Sequence, residues 1–318
     1  MSKYLLLGGT GKAGTTSLFY YLAQHPNIAP SLTKEPGFFV DAEYPYQGPC
    51  PLSKGFEVYK SLFDINDEKQ VGLEASTQYI HCASSPDLIK EYLKNDVKLI
   101  FVFRNPIDYL LSNFNYLKQI GEISADYNFS KYIDSLLSSL NESKNELAPN
   151  ALRQCFYSDF LYRYFRLFGK NNIHVIIFED LKRNPSKVTQ DVIEFVGLDT
   201  KCCADFSYLA RNETKNNVAG GRIKNKLKRF VLDRVFDRPI LHTRLKSLYF
   251  FFDSILSKFL SKKINLATRD DLGKDQYDYL IAMYRLEIQK FQDLIGRKVN
   301  WFDFEKGLES GNSNNSCT

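Results

Sequence analysis

The segment that most constrains the fold of this chain is a glycine-rich turn close to its start. The apolar run 4–7 (YLLL) predicts a strand, and residues 18–22 (LFYYL) have the character of a helix. The turn between them, residues 9–17, reads GTGKAGTTS. Unpaired backbone N–H groups and the positive end of the helix dipole converge where such a turn enters a helix. The order of strand, turn and helix therefore favours an anion site over a purely structural turn.

The turn differs from the nucleoside-triphosphate P-loop at a defined place. That pattern has a lysine directly after its second glycine, followed by a Ser or Thr that holds magnesium. Gly9 and Gly14 are separated by the required four residues, but Thr15 stands in the lysine's position and the loop's lysine is Lys12. The sequence therefore predicts a phosphate site with altered triphosphate and metal chemistry.

Predicted strands and helices alternate along the chain. Strands are expected at 3–7, 71–74, 97–103 and 172–178, and the run VKLIFVF at 97–103 is typical of a strand buried in a parallel sheet. Strands separated by helices predict an α/β fold, P-loop NTPase-like, with a central, mainly parallel sheet flanked by helices. Residues 27–70 are expected to be irregular and to line a site. The predicted helices are 15–24, 86–94, 106–119, 129–144, 149–168, 185–196 and 274–295.

The 318-residue chain is predicted to form one domain over residues 1–305, with a helical basic insertion at about 205–265 and a disordered tail at 306–318. Residues 222–263 carry twelve Lys or Arg against three Asp. An ordinary amphipathic subdomain is the favoured interpretation of this stretch. Recruitment of an anionic acceptor and contact with a membrane surface are the alternatives.

Composition excludes several classes of protein. The formal net charge is only +5, which argues against a nucleic-acid-coating protein and against nucleic acid as a partner. No signal peptide or apolar run of 18 residues is visible, so a cytoplasmic location is predicted. The six cysteines lack zinc or disulfide spacing and are interpreted as free thiols, and no metal site is expected.

A second group of polar residues follows the apolar strand 97–103. The carboxyl ends of parallel strands form the ligand crevice of an open sheet, and Arg104 emerges there with Ser112 on the following helix. A guanidinium and a hydroxyl suit a phosphate ligand. The alternative is that Arg104 forms a salt bridge with Asp108 at the start of that helix.

Taken together, these segments resemble the sulfotransferase superfamily that uses 3′-phosphoadenosine-5′-phosphosulfate (PAPS). The likeness is greatest to the branch of the heparan sulfate sulfotransferases and their bacterial relatives, and it covers residues 3–200 and 266–302. Any one motif alone is weak, whereas their common order is specific. The segments that carry the likeness are 12–18 with Leu22 and His25-Pro26, 34–39 (KEPGFF), 72–76 with Tyr79, 104–108 with Ser112, 157–161, 178–181, and 294–297 before Trp301.

The resemblance implies that PAPS is the donor, that adenosine 3′,5′-bisphosphate (PAP) is the product, and that no metal takes part. Lys12 would neutralise charge as the S–O bond breaks, and Arg104 with Ser112 would hold the 3′-phosphate. Gly221-Arg222 matches a nucleotide-covering loop only loosely, and plain surface charge explains Arg222 equally well. The chain also has Tyr109 where relatives often have Arg. The implied donor-binding residues are Gly11, Lys12, Ala13, Gly14, Thr15, Thr16, Ser17, Arg104, Ser112, Gly221 and Arg222.

Glu35 is the candidate general base, because a carboxylate within reach of an acceptor hydroxyl helps to remove its proton. Its alternative is a solvated glutamate beside Lys34, which is itself placed on the acceptor side. Glu74 is expected to line the site, where it contacts the acceptor or supports the base, and a core salt bridge is the equally weighted alternative. His81 is a weaker candidate, and His25 is interpreted as a helix-terminating residue.

The sequence therefore predicts a sulfotransferase that moves a sulfuryl group from PAPS to an acceptor hydroxyl, with Lys12 and Glu35 as catalytic residues. Carbohydrate or glycoconjugate acceptors are favoured, ahead of lipids and small metabolites. A nucleotide or small-molecule kinase and a non-catalytic membrane-associated adapter remain as alternatives. The sequence leaves the oligomeric state open.

Overall fold

The computed structural model describes residues 3–45, 47–66, 71–140, 150–210, 217–219, 261–263 and 265–302. A five-stranded parallel sheet with the order β2-β3-β1-β4-β5 forms its centre. This confirms the predicted α/β fold with its parallel sheet. The strands are β1 (Tyr4–Gly9), β2 (Ile28–Pro30), β3 (Val71–Glu74), β4 (Val97–Phe103) and β5 (Ile173–Ile177).

Helices cover both faces of the sheet. Residues that alternate along a strand point to opposite faces, so Leu5 and Leu7 enter one core while Leu6 enters the other. Helices α1 and α8 pack on the first face, and α3, α6 and α9 pack on the second. The helices are α1 (Thr15–Leu22), α2 (Phe56–Lys60), α3 (Ser85–Leu93), α4 (Pro106–Gln119), α5 (Phe129–Ser139), α6 (Tyr157–Phe168), α7 (Phe178–Arg183), α8 (Pro185–Val196) and α9 (Lys274–Ile295).

The predicted helix 149–168 is wrong in its first half. Residues 153–155 form a 3₁₀ turn, and α6 begins only at Tyr157. The carboxylate of Glu287, from α9, accepts hydrogen bonds from Ser158 N at 2.6 Å and Ser158 Oγ at 2.7 Å. This helix start depends on a residue more than a hundred positions away in the chain, so the local sequence does not reveal it.

The segment 27–70 is less irregular than its composition suggests. It contributes β2, a short edge strand that pairs with β3, and the single-turn helix α2. The predicted helix 15–24 ends at Leu22, and the helix predicted at 129–144 ends at Ser139.

The basic insertion lies mostly outside the described residues. Two short antiparallel strands, β6 (Asn217–Ala219) and β7 (Ser261–Lys263), are described within it, and β6 contacts α4. The helical character of 205–265, its interpretation as a membrane or acceptor surface, and the disorder of 306–318 stay predictions. No helix among the described residues is long and apolar enough to cross a membrane.

Candidate active site

A crevice opens between the carboxyl ends of β1 and β4. These two strands are neighbours, but α1 leaves β1 towards one face of the sheet and α4 leaves β4 towards the other. Chains that diverge in this way open the ligand crevice of an α/β sheet. The two motifs found in the sequence therefore face each other across it.

The turn after β1 requires glycine at two positions. Gly9 has φ +114°, and a Cβ there would lie 2.2 Å from Val102 O on β4. Gly14 has φ +77°, and a Cβ there would lie 2.9 Å from the Phe178 ring. These glycines let the turn pass close to β4 and α7, and so bring the start of α1 to the crevice.

The amino end of α1 is suited to an anion. Gly14 is its N-cap and offers no capping side chain, and the first turn, Thr15–Ser17, contains no acidic residue. The first N–H groups of a helix have no acceptor within the helix, and its dipole favours negative charge there. The predicted loop residues Gly11, Lys12, Ala13, Gly14, Thr15, Thr16 and Ser17 all lie in this turn and helix start.

Arg104 lies across the crevice from the loop and contacts it directly. Its Nη1 donates to Lys12 O at 2.9 Å, its guanidinium lies 4.7 Å from the Phe178 ring centre, and its own carbonyl accepts from Tyr157 Oη at 2.8 Å. Its Nε is buried and has no hydrogen-bond partner among the described residues. A buried N–H donor without an acceptor is costly, and a phosphate oxygen in the crevice would satisfy it.

The alternative prediction, a salt bridge between Arg104 and Asp108, is wrong. Asp108 instead forms a two-fold contact with Arg269, at 2.7 Å from Nε and 2.6 Å from Nη2. This ion pair, which joins α4 to the segment before α9, leaves the Arg104 guanidinium directed at the loop. Ser112 lies two turns along α4 and is half-buried.

The turn between β4 and α4 is held by residues of the segments 104–108 and 178–181 and by Trp301, to which the sequence analysis gave no individual roles. Asn105 caps α4, since its Oδ1 accepts from Ile107 N at 2.9 Å, and its Nδ2 donates to Trp301 O at 2.8 Å. Glu179 accepts from Asn105 N at 3.1 Å and from Trp301 Nε1 at 2.9 Å. Only the prolines and asparagines typical of helix starts could have signalled this cap. Tyr109, the departure from the family pattern, is buried and donates to Gln154.

Lys12 is held at the crevice in an unusual environment. Its backbone has φ +63°, and its ammonium lies 4.4 Å from the centre of the Tyr116 ring. Burial, together with the charge of Arg104, lowers the pKa of Lys12. Tyr116, one turn after Ser112 on α4, was missed in the sequence, because a lone tyrosine on a helix carries no motif.

Glu35 lies within electrostatic reach of Tyr116. Its carboxylate is about half exposed and forms an ion pair with Lys34. Burial and the negative charge of Glu35 raise the pKa of Tyr116, so the carboxylate lies within electrostatic reach of the ring that Lys12 contacts. The structure thus brings the loop lysine and the candidate base to one region.

Glu74 is fully buried at the end of β3 and is held by hydroxyl groups. It accepts from Ser76 Oγ at 2.6 Å, Tyr79 Oη at 2.7 Å and Tyr59 Oη at 3.4 Å. Burial raises the pKa of Glu74 to about 7, against the opposing effect of these hydrogen bonds. A core salt bridge, one of the two expectations, is therefore not what holds this carboxylate.

His81 and His25, the two histidines considered in the sequence analysis, differ in their surroundings. His81 is buried against the Phe160 ring, both ring nitrogens lack a partner among the described residues, and burial lowers its pKa to about 3. His25 Nδ1 accepts from Asn27 N at 3.1 Å, so its Nε2 donates to Asp199 O at 2.9 Å. His25 therefore has a structural role after α1, and a neutral His81 is a poor proton carrier at neutral pH.

Gly221 and Arg222 lie outside the described residues, so their predicted contact with the 3′-phosphate stays a prediction. Among the residues that are described, no cluster of three His, Cys, Asp or Glu side chains could hold a metal ion. Five cysteines in that part of the chain are free thiols.

Residues 2–234 match the family described as a sulfotransferase domain, and the chain belongs to this family. The family's sulfuryl donor is PAPS, which fits the start of α1 and Arg104 Nε, a donor that the described part of the chain leaves without an acceptor. A solved sulfotransferase from Alicyclobacillus acidocaldarius has the same fold. It aligns with a TM-score of 0.62 at 19% identity, over 95% of this chain and 98% of its own.

Two curated relatives show the range of proteins that contain such a domain. The membrane-associated sulfotransferase kil1 of Dictyostelium discoideum is 36% identical over 129 residues, which are 39% of this chain and 26% of the relative. The human bifunctional heparan sulfate N-deacetylase/N-sulfotransferase 2 is 24% identical over 206 residues, 62% of this chain and 22% of the relative. The chain spans about a quarter of the length of each of these relatives.

Proposed function

We propose that this protein transfers a sulfuryl group from PAPS to a hydroxyl of a carbohydrate or glycoconjugate and releases PAP. One observation carries the proposal: Arg104 donates to the carbonyl of Lys12 while its own Nε has no partner among the described residues. The contact joins the two predicted phosphate-binding motifs into one crevice. Two adjacent anion-binding motifs support a nucleotide that carries phosphate at both the 3′ and 5′ positions as the ligand.

The chain's residues would act together in an in-line displacement. The amides at the start of α1 hold the 5′-phosphate, and Arg104 with Ser112 holds the 3′-phosphate, so that the sulfuryl group is oriented. Lys12 offsets the negative charge that grows on the leaving phosphate oxygen. Glu35 accepts the proton of the attacking hydroxyl. PAPS supplies the activated sulfuryl group, and the leaving phosphate is stabilised by side chains and helix N–H groups.

The acceptor class is supported by the name of the human relative, which acts on heparan sulfate. That relative is an N-sulfotransferase, so a glucosamine amino group is the second acceptor to test. Radiolabelled PAPS should be incubated with heparan precursors that carry free hydroxyls, with the same chains carrying free amines, and with lipid and small-molecule alcohols. Label on the oxygens of a glycan supports the proposal, and label on its amino groups would identify the second acceptor instead. A non-catalytic adapter would transfer label to none of them. Label found only on the lipid would show that the acceptor is a lipid and not a glycan.

The first prediction concerns recognition of the 3′-phosphate. PAP should raise the Tm of the wild-type protein by several degrees more than 5′-AMP at the same concentration, because only PAP can satisfy Arg104. Arg104→Lys removes the planar guanidinium group, so the ratio of the Kd for 5′-AMP to the Kd for PAP should fall about tenfold. Calorimetric titration of both nucleotides checks this.

Mg-ATP serves as the comparison ligand in that titration. A kinase would be stabilised by Mg-ATP at least as strongly as by PAP. Equal affinity of the wild type for PAP and 5′-AMP would show that the site does not recognise the 3′-phosphate.

The second prediction concerns the ring that contacts Lys12. An aromatic face attracts an ammonium by about 0.5–2 kcal/mol, so Tyr116→Leu should lower kcat by up to about tenfold. Tyr116→Phe keeps the aromatic face and should retain most of the activity. Steady-state kinetics of both variants, and of each combined with Lys12→Met, give the coupling between the two side chains. Equal losses in the Leu and Phe variants would place the effect on the hydroxyl.

A further inference from the structure

The loop that carries Glu35 is attached to the end of β3 through hydroxyl groups. Ser76 Oγ donates to Glu74 Oε2 at 2.6 Å and at the same time accepts from Gly37 N at 3.1 Å. Gly37 is two residues beyond Glu35. One hydroxyl thus joins the backbone of this loop to a buried carboxylate.

A second hydroxyl holds a loop amide two residues after Gly37 in the same way. Tyr79 Oη donates to Glu74 Oε1 at 2.7 Å and accepts from Phe39 N at 3.4 Å. Tyr59 Oη, from α2, approaches the same carboxylate oxygen at 3.4 Å. Both oxygens of Glu74 are therefore occupied by hydroxyl donors, and two of these donors hold loop amides.

The loop is also fixed before Glu35. Ala75 N donates to Lys34 O at 2.8 Å, a backbone contact made by the residue that follows Glu74. Glu35 is therefore bracketed by attachments to one short stretch of chain. The attachment after Glu35, at Gly37, depends on the direction in which the Ser76 hydroxyl points.

The direction of these hydroxyls is set by the carboxylate. A hydroxyl has one proton, so it can turn its lone pairs to a loop amide only if its proton has an acceptor elsewhere. We propose that Glu74 is a positioning residue for Glu35, and that its two oxygens orient Ser76 and Tyr79 so that they hold the loop. This inference rests on the proposed function of Glu35 as general base.

The charge state of Glu74 bears on the same arrangement. Burial raises its pKa to about 7. Burial and the charge of Glu74 raise the pKa of Tyr59 and of Tyr79 well above the usual value, so both stay protonated and can donate. Burial raises the pKa of the Cys50 thiol, and among the described residues the charge that acts on Glu74 is that of Glu35. A protonated Glu74 needs an acceptor itself, so one of the hydroxyls would have to reverse.

Glu287 is a matched control in the same chain. It is also buried, burial raises its pKa to about 7, and it accepts from both Ser158 N and Ser158 Oγ. Its contacts join α9 to α6 and do not involve the loop 34–39. Glu287→Gln therefore makes the same chemical change in a similar environment, away from Glu35.

The test compares Glu74→Gln with Glu287→Gln in the full chain. Glu74→Gln should lower kcat by about 10- to 100-fold with the KM for PAPS unchanged, because the base is misplaced while the donor site is intact. Wild type should lose kcat as the pH falls through about 7, and Glu74→Gln should lack this transition. Glu287→Gln should keep both kcat and the transition.

Hydrogen exchange gives a readout that needs no activity. Ser76→Ala should speed exchange at the Gly37 amide, and Tyr79→Phe at the Phe39 amide, each about tenfold in the absence of substrate. These variants also serve if Glu74→Gln does not fold. Unchanged exchange in both, or equal kinetic losses in Glu74→Gln and Glu287→Gln, would overturn the inference. A wild type that transfers no sulfuryl group would instead overturn the proposed function, while the exchange data would still test the attachment of the loop.

Discussion

Replacing Lys12 with methionine should lower kcat by about 10²–10³-fold while PAP still binds. In the proposed mechanism the ammonium stabilises the leaving phosphate oxygen, and removing one preorganised group that stabilises developing charge has an effect of this size. Arg104 and the start of α1 remain to hold the two phosphates. Single-turnover transfer from labelled PAPS, measured beside PAP titration, separates the chemical step from binding.

The same variant should fold at least as well as the wild type. The pKa of Lys12 is lowered by burial and by Arg104, which means that the folded state disfavours its charge. A cationic group whose pKa is lowered on folding costs stability at every pH below its unfolded pKa, and in full below its folded pKa, so removing the charge at neutral pH should not reduce Tm. This pattern, in which activity is lost and stability is kept, is expected of a functional residue.

Lys98 offers the matched control for Lys12. Its ammonium also lies over an aromatic ring, 4.8 Å from the centre of Phe195, and it donates to Asn171 O at 2.7 Å. Lys98 is the second residue of β4 and Asn171 precedes β5, so this lysine lies at the amino ends of the strands, whereas the crevice lies at their carboxyl ends. Lys98→Met should leave kcat unchanged. Equal kcat in Lys12→Met and wild type would remove Lys12 from the chemical step.

The placement of the two phosphate motifs could be predicted from the sequence because it follows from local pattern. Buried parallel strands are recognisable as apolar runs, and their carboxyl ends meet at one edge of the sheet. Lys12 and Arg104 each follow one of these predicted strands. The structure adds that β1 and β4 are neighbours, which brings Arg104 Nη1 to 2.9 Å from Lys12 O.

The remaining features of the site depend on contacts between distant parts of the chain. Arg269 forms an ion pair with Asp108, which is 161 positions away in the chain, so the local sequence gives no signal for this pairing. Tyr116 of α4 contacts Lys12 of the loop after β1, and sequence periodicity does not specify a contact between such distant segments. Glu74 reads as an ordinary strand-end carboxylate until Ser76 and Tyr79 are seen to converge on it. Contacts of this kind are set by packing, which a single sequence does not encode in its spacing.

Replacing Glu35 with glutamine should lower kcat by about 10²–10⁴-fold, the range typical of a lost general base. Glutamine keeps the size of the side chain but cannot accept the acceptor's proton. The carboxylate is ion-paired with Lys34, so Lys34→Gln is the informative companion. It leaves the base in place and should cost much less activity than Glu35→Gln, since a half-exposed pair contributes little on its own.

Glu57 provides the control for the same substitution. It also forms an ion pair with a nearby lysine, Lys60, but it is 85% exposed on α2. Glu57→Gln should therefore match the wild type in kcat, in KM for PAPS and in the Tm shift with PAP. Glu35→Gln should match it in the Tm shift alone, because the donor contacts do not include this carboxylate. If Glu35→Gln and Glu57→Gln had the same kcat, Glu35 would not be the general base and the acceptor's proton would have to leave by another route. Glu74 could then not act by positioning a base at Glu35.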